Sequence, residues 1–283
     1  MGSGSFTASA YKSYSRSLGR SVNSATGRVT GQSYTAVNLD DNLNPKNFKV
    51  RECLNTEEHP NTIPVILALD VTGSMGEACD EVAAALGIIM ENLYKKFTDI
   101  EFCIMGIGDL AYDDAPVQMS QFESDIRIAE SLDKIYMEQG GGGNGYESYT
   151  AAWYMGLKRT KLDAFDKQGR KGIIITMGDE PLNPYLPARE LNRFTGSTEE
   201  KDVETPELYE QASQKFDIYH ISVNSPSSSY SYHKRNADPS FEKILHSNYK
   251  IASIDNLPQT IESCIATSVQ NTTVENTNGE ISW

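Results

Sequence analysis

Three runs of this chain are apolar almost from end to end: IPVILAL (Ile63–Leu69), IEFCIMGIG (Ile100–Gly108) and the first seven residues of GIIITMGDE (Gly172–Glu180). A strand with one wet face alternates apolar and polar residues. A strand without that alternation must be covered on both faces. At seven to nine residues these runs have strand length rather than helix length. Between the first two, Val82, Leu86, Ile89, Leu93 and Phe97 recur at spacings of three and four, the period of a helix face. Buried strands alternating with helices predict an α/β fold, a doubly wound, mostly parallel sheet flanked by helices. In such a sheet ligands collect beyond the carboxyl ends of the strands. The residues that end each run are therefore the ones to read for function.

The remaining elements follow the same grammar. VQMSQF (Val117–Phe122) reads as an edge strand. SDIRIAESLDKIYM (Ser124–Met137) reads as a helix capped by Ser124, and SYTAAWYMGLKR (Ser148–Arg159) as the next. TPELYEQASQKF has Thr205 as cap and Pro206 at the first helical position. FDIYHISVN and YKIASI are two further strands, with SPSSSYSYHKRN between them as a loop. LPQTIESCIATSVQ closes the domain as a helix with Ile261, Ile265 and Val269 on one face. The expected boundaries are a polar N-terminal arm over 1–46, a lead-in over 47–61 containing an edge strand in NFKVREC, the main domain over 62–270 and a polar tail over 271–283. Few apolar residues interrupt the Ser, Gly, Thr and Asn of the arm, so it is expected to be flexible alone and ordered only against something else.

Charge narrows the partners. The chain of 283 residues carries a net −14. The arm holds Lys12, Arg16, Arg20, Arg28 and Lys46 against Asp40 and Asp41, a net +3, which leaves −17 for the rest. An acidic body repels phosphates, so general nucleic-acid binding is not expected. No apolar run reaches membrane-spanning length. The start MGSGSFTASAYK has no hydrophobic signal core, and Phe6 stands where a myristoylation site wants Ser or Thr. Cys53, Cys79, Cys103 and Cys264 form no C-x-x-C pair. A cytoplasmic setting is the expectation.

Three loops at the expected strand ends carry oxygen donors. The first has Asp70, Thr72 and Ser74; the second, GGGGNGYES, has Glu147; the third, TMGDE, has Asp179 and Glu180. Carboxylates crowded on one rim repel one another, and a hard divalent cation would neutralise them. Carboxylate and hydroxyl donors without His or Cys suit Mg²⁺ or Mn²⁺ better than Zn²⁺. Asp109, ending GIGD, stands either beside such a site or in a turn. The glycine run Gly140–Gly143 lacks the G-K-[ST] of a phosphate-binding loop. The four His residues show no ligand spacing, and His220 within a strand reads as a satisfied core residue.

DVTGS (Asp70–Ser74) resembles the D-x-[ST]-x-S signature of the von Willebrand factor A (vWA) domain family, the first loop of its metal-ion-dependent adhesion site. The resemblance spans roughly residues 60–270 and includes the order of elements. It implies a Rossmann-like vWA fold and a metal held by Asp70, Thr72, Ser74, Glu147 and Asp179. Two departures stand out. The usual T-D-G of the last loop is shifted here to TMGDE, so Asp179 and Glu180 compete for that role. Most vWA domains place a Thr in the second loop, whereas NGYES is similar to the integrin beta-subunit form, in which a Glu ligates; Thr150 is the alternative. A Glu in place of Thr adds charge, so the ion is held more firmly and is less electrophilic.

The resemblance implies a non-enzymatic, metal-dependent protein–protein interaction module, the ion taking an Asp or Glu of a partner. Stand-alone bacterial vWA proteins of this kind work beside AAA+ ATPases of the MoxR kind. Two other readings compete. LALDVTGS and MGDE also resemble motifs of haloacid dehalogenase-like phosphatases, which would make Asp70 a nucleophile, although Thr72 stands where their general acid–base Asp belongs. The basic arm and acidic body also suit a structural component that pairs within one molecule or between copies.

Overall fold

The structure is a computed structural model of the chain. It describes residues 4–31, 33–138, 145–224 and 239–278, with side chains through residue 270. In chain order its elements are α1 (Ala8–Ser17), β1 (Ser21–Val22), β2 (Val29–Thr30), β3 (Arg51–Cys53), β4 (Ile63–Asp70), α2 (Gly76–Tyr94), β5 (Ile100–Ile107), β6 (Val117–Met119), α3 (Arg127–Asp133), α4 (Thr150–Arg159), β7 (Thr160–Leu162), α5 (Asp163–Asp166) and β8 (Gly172–Gly178). There follow β9 (Tyr185–Leu186), α6 (Ala188–Thr195), β10 (Val203–Glu204), α7 (Thr205–Lys215), β11 (Phe216–Asn224), a helix α8 over 239–245, β12 (Tyr249–Ser253) and α9 (Leu257–Asn278).

Six strands form the central sheet in the order β12-β11-β8-β4-β5-β6. All neighbours are parallel except β6, which runs antiparallel along the β5 edge. The fold is thus a mixed α/β fold with a mostly parallel sheet flanked by helices. From β4 the chain steps to β5 on one side and later returns to β8 on the other. The strand order reverses at β4, and Asp70 lies at its carboxyl end, the place where ligands collect in such sheets.

The apolar runs are double-sided, as their pattern requires. Val65, Leu67 and Leu69 enter a core with α1, α2, α3 and α9. Ile66 and Ala68 enter the opposite core with α4, α7 and α8. Each large aliphatic side chain so buried contributes roughly 1.5–3 kcal/mol. Burial on both faces makes β4 a stiff support for whatever follows it.

Where described, residues 1–46 are ordered against the rest of the chain. This arm is folded onto the body, and Phe6, Tyr11, Val29, Tyr34 and Leu43 are buried in its core. Thr7 caps α1 by accepting from the Ala10 amide. The Tyr11 phenol donates to the Ala83 carbonyl of α2 at 2.5 Å. Its ring lies over Gly87, where a Cβ would fall 2.4 Å from a ring carbon. Tyr34 donates to the Cys79 carbonyl at 2.9 Å. Arg20 forks onto Asp133 at 2.6 and 2.8 Å, and Arg28 pairs with Glu81. The basic arm therefore meets acids of its own chain. Its anchors are few but large, and they dock on a groove that a glycine leaves open.

Smaller differences have local causes. NFKVREC contributes β3, which pairs with β7 in a separate two-stranded sheet rather than with the main one. Helix α3 is only seven residues long, and Asp125, not Ser124, accepts from the Arg127 amide at its start. Ser124 turns instead to the Gly4 carbonyl. Thr205 lies inside the first turn of α7 and donates to the Asn183 carbonyl. Phe97 lies beyond the end of α2, and α9 continues through Asn278, past the expected start of the tail. The glycine run and the loop after β11 lie outside the described residues.

Candidate metal centre

The first loop is built by Asp70. Its Oδ1 accepts from the amide and the hydroxyl of Thr72, at 2.9 and 2.6 Å. This closes a tight turn of the kind an Asp side chain favours. A short 3₁₀ turn, Gly73–Met75, then feeds α2. Asp70 does not cap α2; Met75 occupies the cap position. Ser74 reaches across to the third loop, donating to Asp179 Oδ1 at 2.9 Å. Two loops that are 105 residues apart are thereby joined at the end of β4 and β8.

The second loop brings in Glu147, whose backbone bridges to Leu182. Glu147 is 5% exposed, and its Oε2 is buried without a hydrogen-bond partner. Thr150, the alternative, is engaged elsewhere. Its hydroxyl accepts from Asn183 Nδ2 at 2.6 Å and its amide donates to Asn183 Oδ1 at 3.2 Å. In the third loop Asp179 is buried, and Glu180 is half-buried rather than exposed. Asp109 serves its turn, accepting from the Ala111 amide and donating its own amide to Asp113 Oδ2. It is also buried and close enough for its charge to act on Glu147.

Tyr149 carries no signal in the sequence that marks it for this site. It is fully buried, and its phenol donates to Asp70 Oδ2 at 2.6 Å. The Tyr149 phenol oxygen in turn accepts from the Glu180 amide at 3.2 Å. His220 lies edge-on to the Tyr149 ring and stacks on Phe241 at 3.6 Å. As expected, His220 is a core residue, and burial lowers its pKa well below the ordinary value. It is only half satisfied: Nδ1 meets the Thr176 hydroxyl at 2.9 Å, whereas Nε2 has no partner.

These carboxyls hold their protons unusually well. Burial and the charge of Asp179 raise Asp70 to about 7. Burial, then Asp70, Asp113, Asp109 and Glu180, raise Glu147 to about 10. Burial and Asp179 raise Glu180 to about 7. Crowded, desolvated carboxylates favour their neutral forms unless a positive charge joins them. Among the described residues no three His, Cys, Asp or Glu side chains stand close enough together to hold an ion unaided. The structure joins Thr72 to Asp70 and Ser74 to Asp179, but it does not bring Asp70, Glu147 and Asp179 together as a cluster of three acids. Carboxylate and hydroxyl donors with an unpartnered Glu147 oxygen fit a hard, oxygen-seeking cation.

No protein-family model matches this chain, and no curated protein matches it. Similar solved structures include two crystal structures of the pilus adhesin SpaC from Lactobacillus rhamnosus GG. The one in the open conformation is 11% identical with a TM-score of 0.49, covering 77% of this chain and 31% of that chain. The other is 12% identical with a TM-score of 0.46, covering 77% of this chain and 32% of that one. The chain thus spans about a third of the length of these adhesin structures. Among the described residues no helix is long and apolar enough to cross a membrane.

Proposed function

We propose that the end of β4 and β8 binds a divalent cation, Mg²⁺ or Mn²⁺, and that the ion takes an acidic side chain of a partner protein. Asp70, Thr72, Ser74, Glu147 and Asp179 would hold it, as in the vWA domains that DVTGS resembles. The ion would supply an electrophilic positive charge for a carboxylate. The observation that carries this reading is the buried, unpartnered Glu147 oxygen, on which the charges of Asp70, Asp113, Asp109 and Glu180 act. Two exposed tyrosines support a docking role: Tyr112, after β5, is 60% exposed, and Tyr185, in β9, is 36%. Tyrosine is enriched among residues that anchor protein interfaces.

The activity is binding rather than turnover, in a cytoplasmic setting, and an AAA+ ATPase of the MoxR kind is the partner class that the resemblance implies. The phosphatase alternative is less well supported. Asp70 Oδ1 already accepts two hydrogen bonds and Oδ2 a third, which leaves little of the carboxylate available for attack. A pull-down from native extract with magnesium and with chelator tests the reading. The expected result is a partner retained with magnesium, released by chelator and absent with Asp70→Ala. A partner indifferent to both changes overturns it.

A further inference from the structure

We propose that Tyr149 is the positioning residue of this centre: its phenol locks the three loops in register and leaves Asp70 a single carboxylate lone pair to offer a cation, which selects Mg²⁺ over Ca²⁺. This rests on the cation reading above. A carboxylate has about four lone-pair sites. On Asp70, Thr72 fills two at Oδ1, and Tyr149 fills one at Oδ2. Asp70 is thereby restricted to one contact with an ion. Calcium takes six to eight oxygens and readily uses a carboxylate through both of its oxygens, whereas magnesium demands a small, near-octahedral set. A restricted Asp70 suits the second and not the first.

The lock is stiff because Tyr149 is held on every side. It belongs to the second loop, bonds the first through Asp70 and accepts from the third through the Glu180 amide. Its ring meets His220 at 5.0 Å and Phe241 at 5.9 Å between ring centres. Thr176 in turn pins His220 at 2.9 Å. Gly178, the last residue of β8, clears the path of the phenol. A Cβ there would fall 1.9 Å from the Tyr149 oxygen. Residues that orient a ligand in this way are typically worth about 10- to 100-fold in metal affinity.

Calorimetric titration of the full chain with MgCl₂ and with CaCl₂ tests this, for the wild type, Tyr149→Phe and Gly178→Ala. Tyr149→Phe keeps the ring and its packing but frees Asp70 Oδ2. The expected result is Mg²⁺ affinity lowered about 10- to 100-fold, Ca²⁺ affinity lowered much less, and a Mg²⁺/Ca²⁺ preference that falls at least ~10-fold. Gly178→Ala keeps the phenol but displaces it, and is expected to lower the preference likewise; it decides the matter if Tyr149→Phe does not fold. Circular dichroism of the metal-free variants establishes folding. An unchanged preference, or equal losses for both ions, overturns the role of Tyr149 while the cation reading stands. A wild type that binds neither ion overturns the cation reading and this proposal with it.

Discussion

Replacing Glu147 by Gln is expected to stabilise the metal-free protein while abolishing its response to magnesium. The ordinary pKa of Glu147 is 4.5, and burial with the charges of Asp70, Asp113, Asp109 and Glu180 raises it to about 10. A group whose pKa is higher in the folded state contributes its full stability below the unfolded value. That contribution is lost as pH rises toward the folded value. At pH 7 the unfolded chain ionises Glu147 and the folded chain does not. The loss is about 1.4 kcal/mol per pH unit above 4.5, hence about 3 kcal/mol at pH 7 and under ~1 kcal/mol at pH 5. Glutamine has the same shape and does not titrate. Urea unfolding in chelator should therefore find Glu147→Gln about 2–3 kcal/mol more stable than wild type at pH 7, with most of the difference gone at pH 5. Magnesium at about 100 times its Kd should add ~2.7 kcal/mol to the wild type and nothing to the variant. A variant less stable than wild type in chelator at pH 7 would refute the reasoning. So would a difference that ignores pH, or equal stabilisation of both proteins by magnesium.

Two further substitutions separate structure from site. Arg20→Ala removes a guanidinium that is only 5% exposed and leaves Asp133 with the Tyr14 phenol but without its charged partner. The expected loss is about 3 kcal/mol, with faster proteolytic cleavage of the arm and unchanged magnesium affinity by calorimetry. Thr150→Ala takes the hydroxyl from Asn183, which spans three segments through Thr150, Tyr185 and Thr205. Chemical denaturation should show a loss of about 1–3 kcal/mol, again with magnesium affinity intact. A large loss of affinity would move the second-loop ligand from Glu147 to Thr150.

The legible parts of this fold are those in which one short window carries the whole constraint. IPVILAL has to be buried on both faces wherever it lies, so β4 could be read directly. Asp70, Thr72 and Ser74 share one turn, and their spacing alone brings them together; the Thr72 contacts of 2.9 and 2.6 Å follow from it. The contact between Ser74 and Asp179 depends on the order of strands β8 and β4, which only the alternation of elements implies. Tyr149 was invisible because, between Glu147 and Thr150, it looks like one more apolar residue of a helix face. Its meaning lies in a partner 79 residues away. What the arm packs against was hidden for a similar reason. Phe6, Tyr11, Tyr34 and Leu43 have no period, and their partners are distant: Tyr11 lies over Gly87 of α2, Tyr34 bonds the Cys79 carbonyl, and Phe6 and Leu43 pair by backbone with Ser124 and Met119. Ser124 does not cap α3: its hydroxyl donates to the Gly4 carbonyl of the arm, Ile126 holds the cap position, and Asp125 accepts from the Arg127 amide.

The most direct measurement is calorimetric titration of Mg²⁺ into the full chain and into Asp70→Ala at neutral pH and low salt. A cation centre at the end of β4 requires saturable binding of one ion per chain in the wild type and its loss in the variant, with the variant still folded by circular dichroism. No saturable binding in the wild type, or equal binding in both, would contradict it.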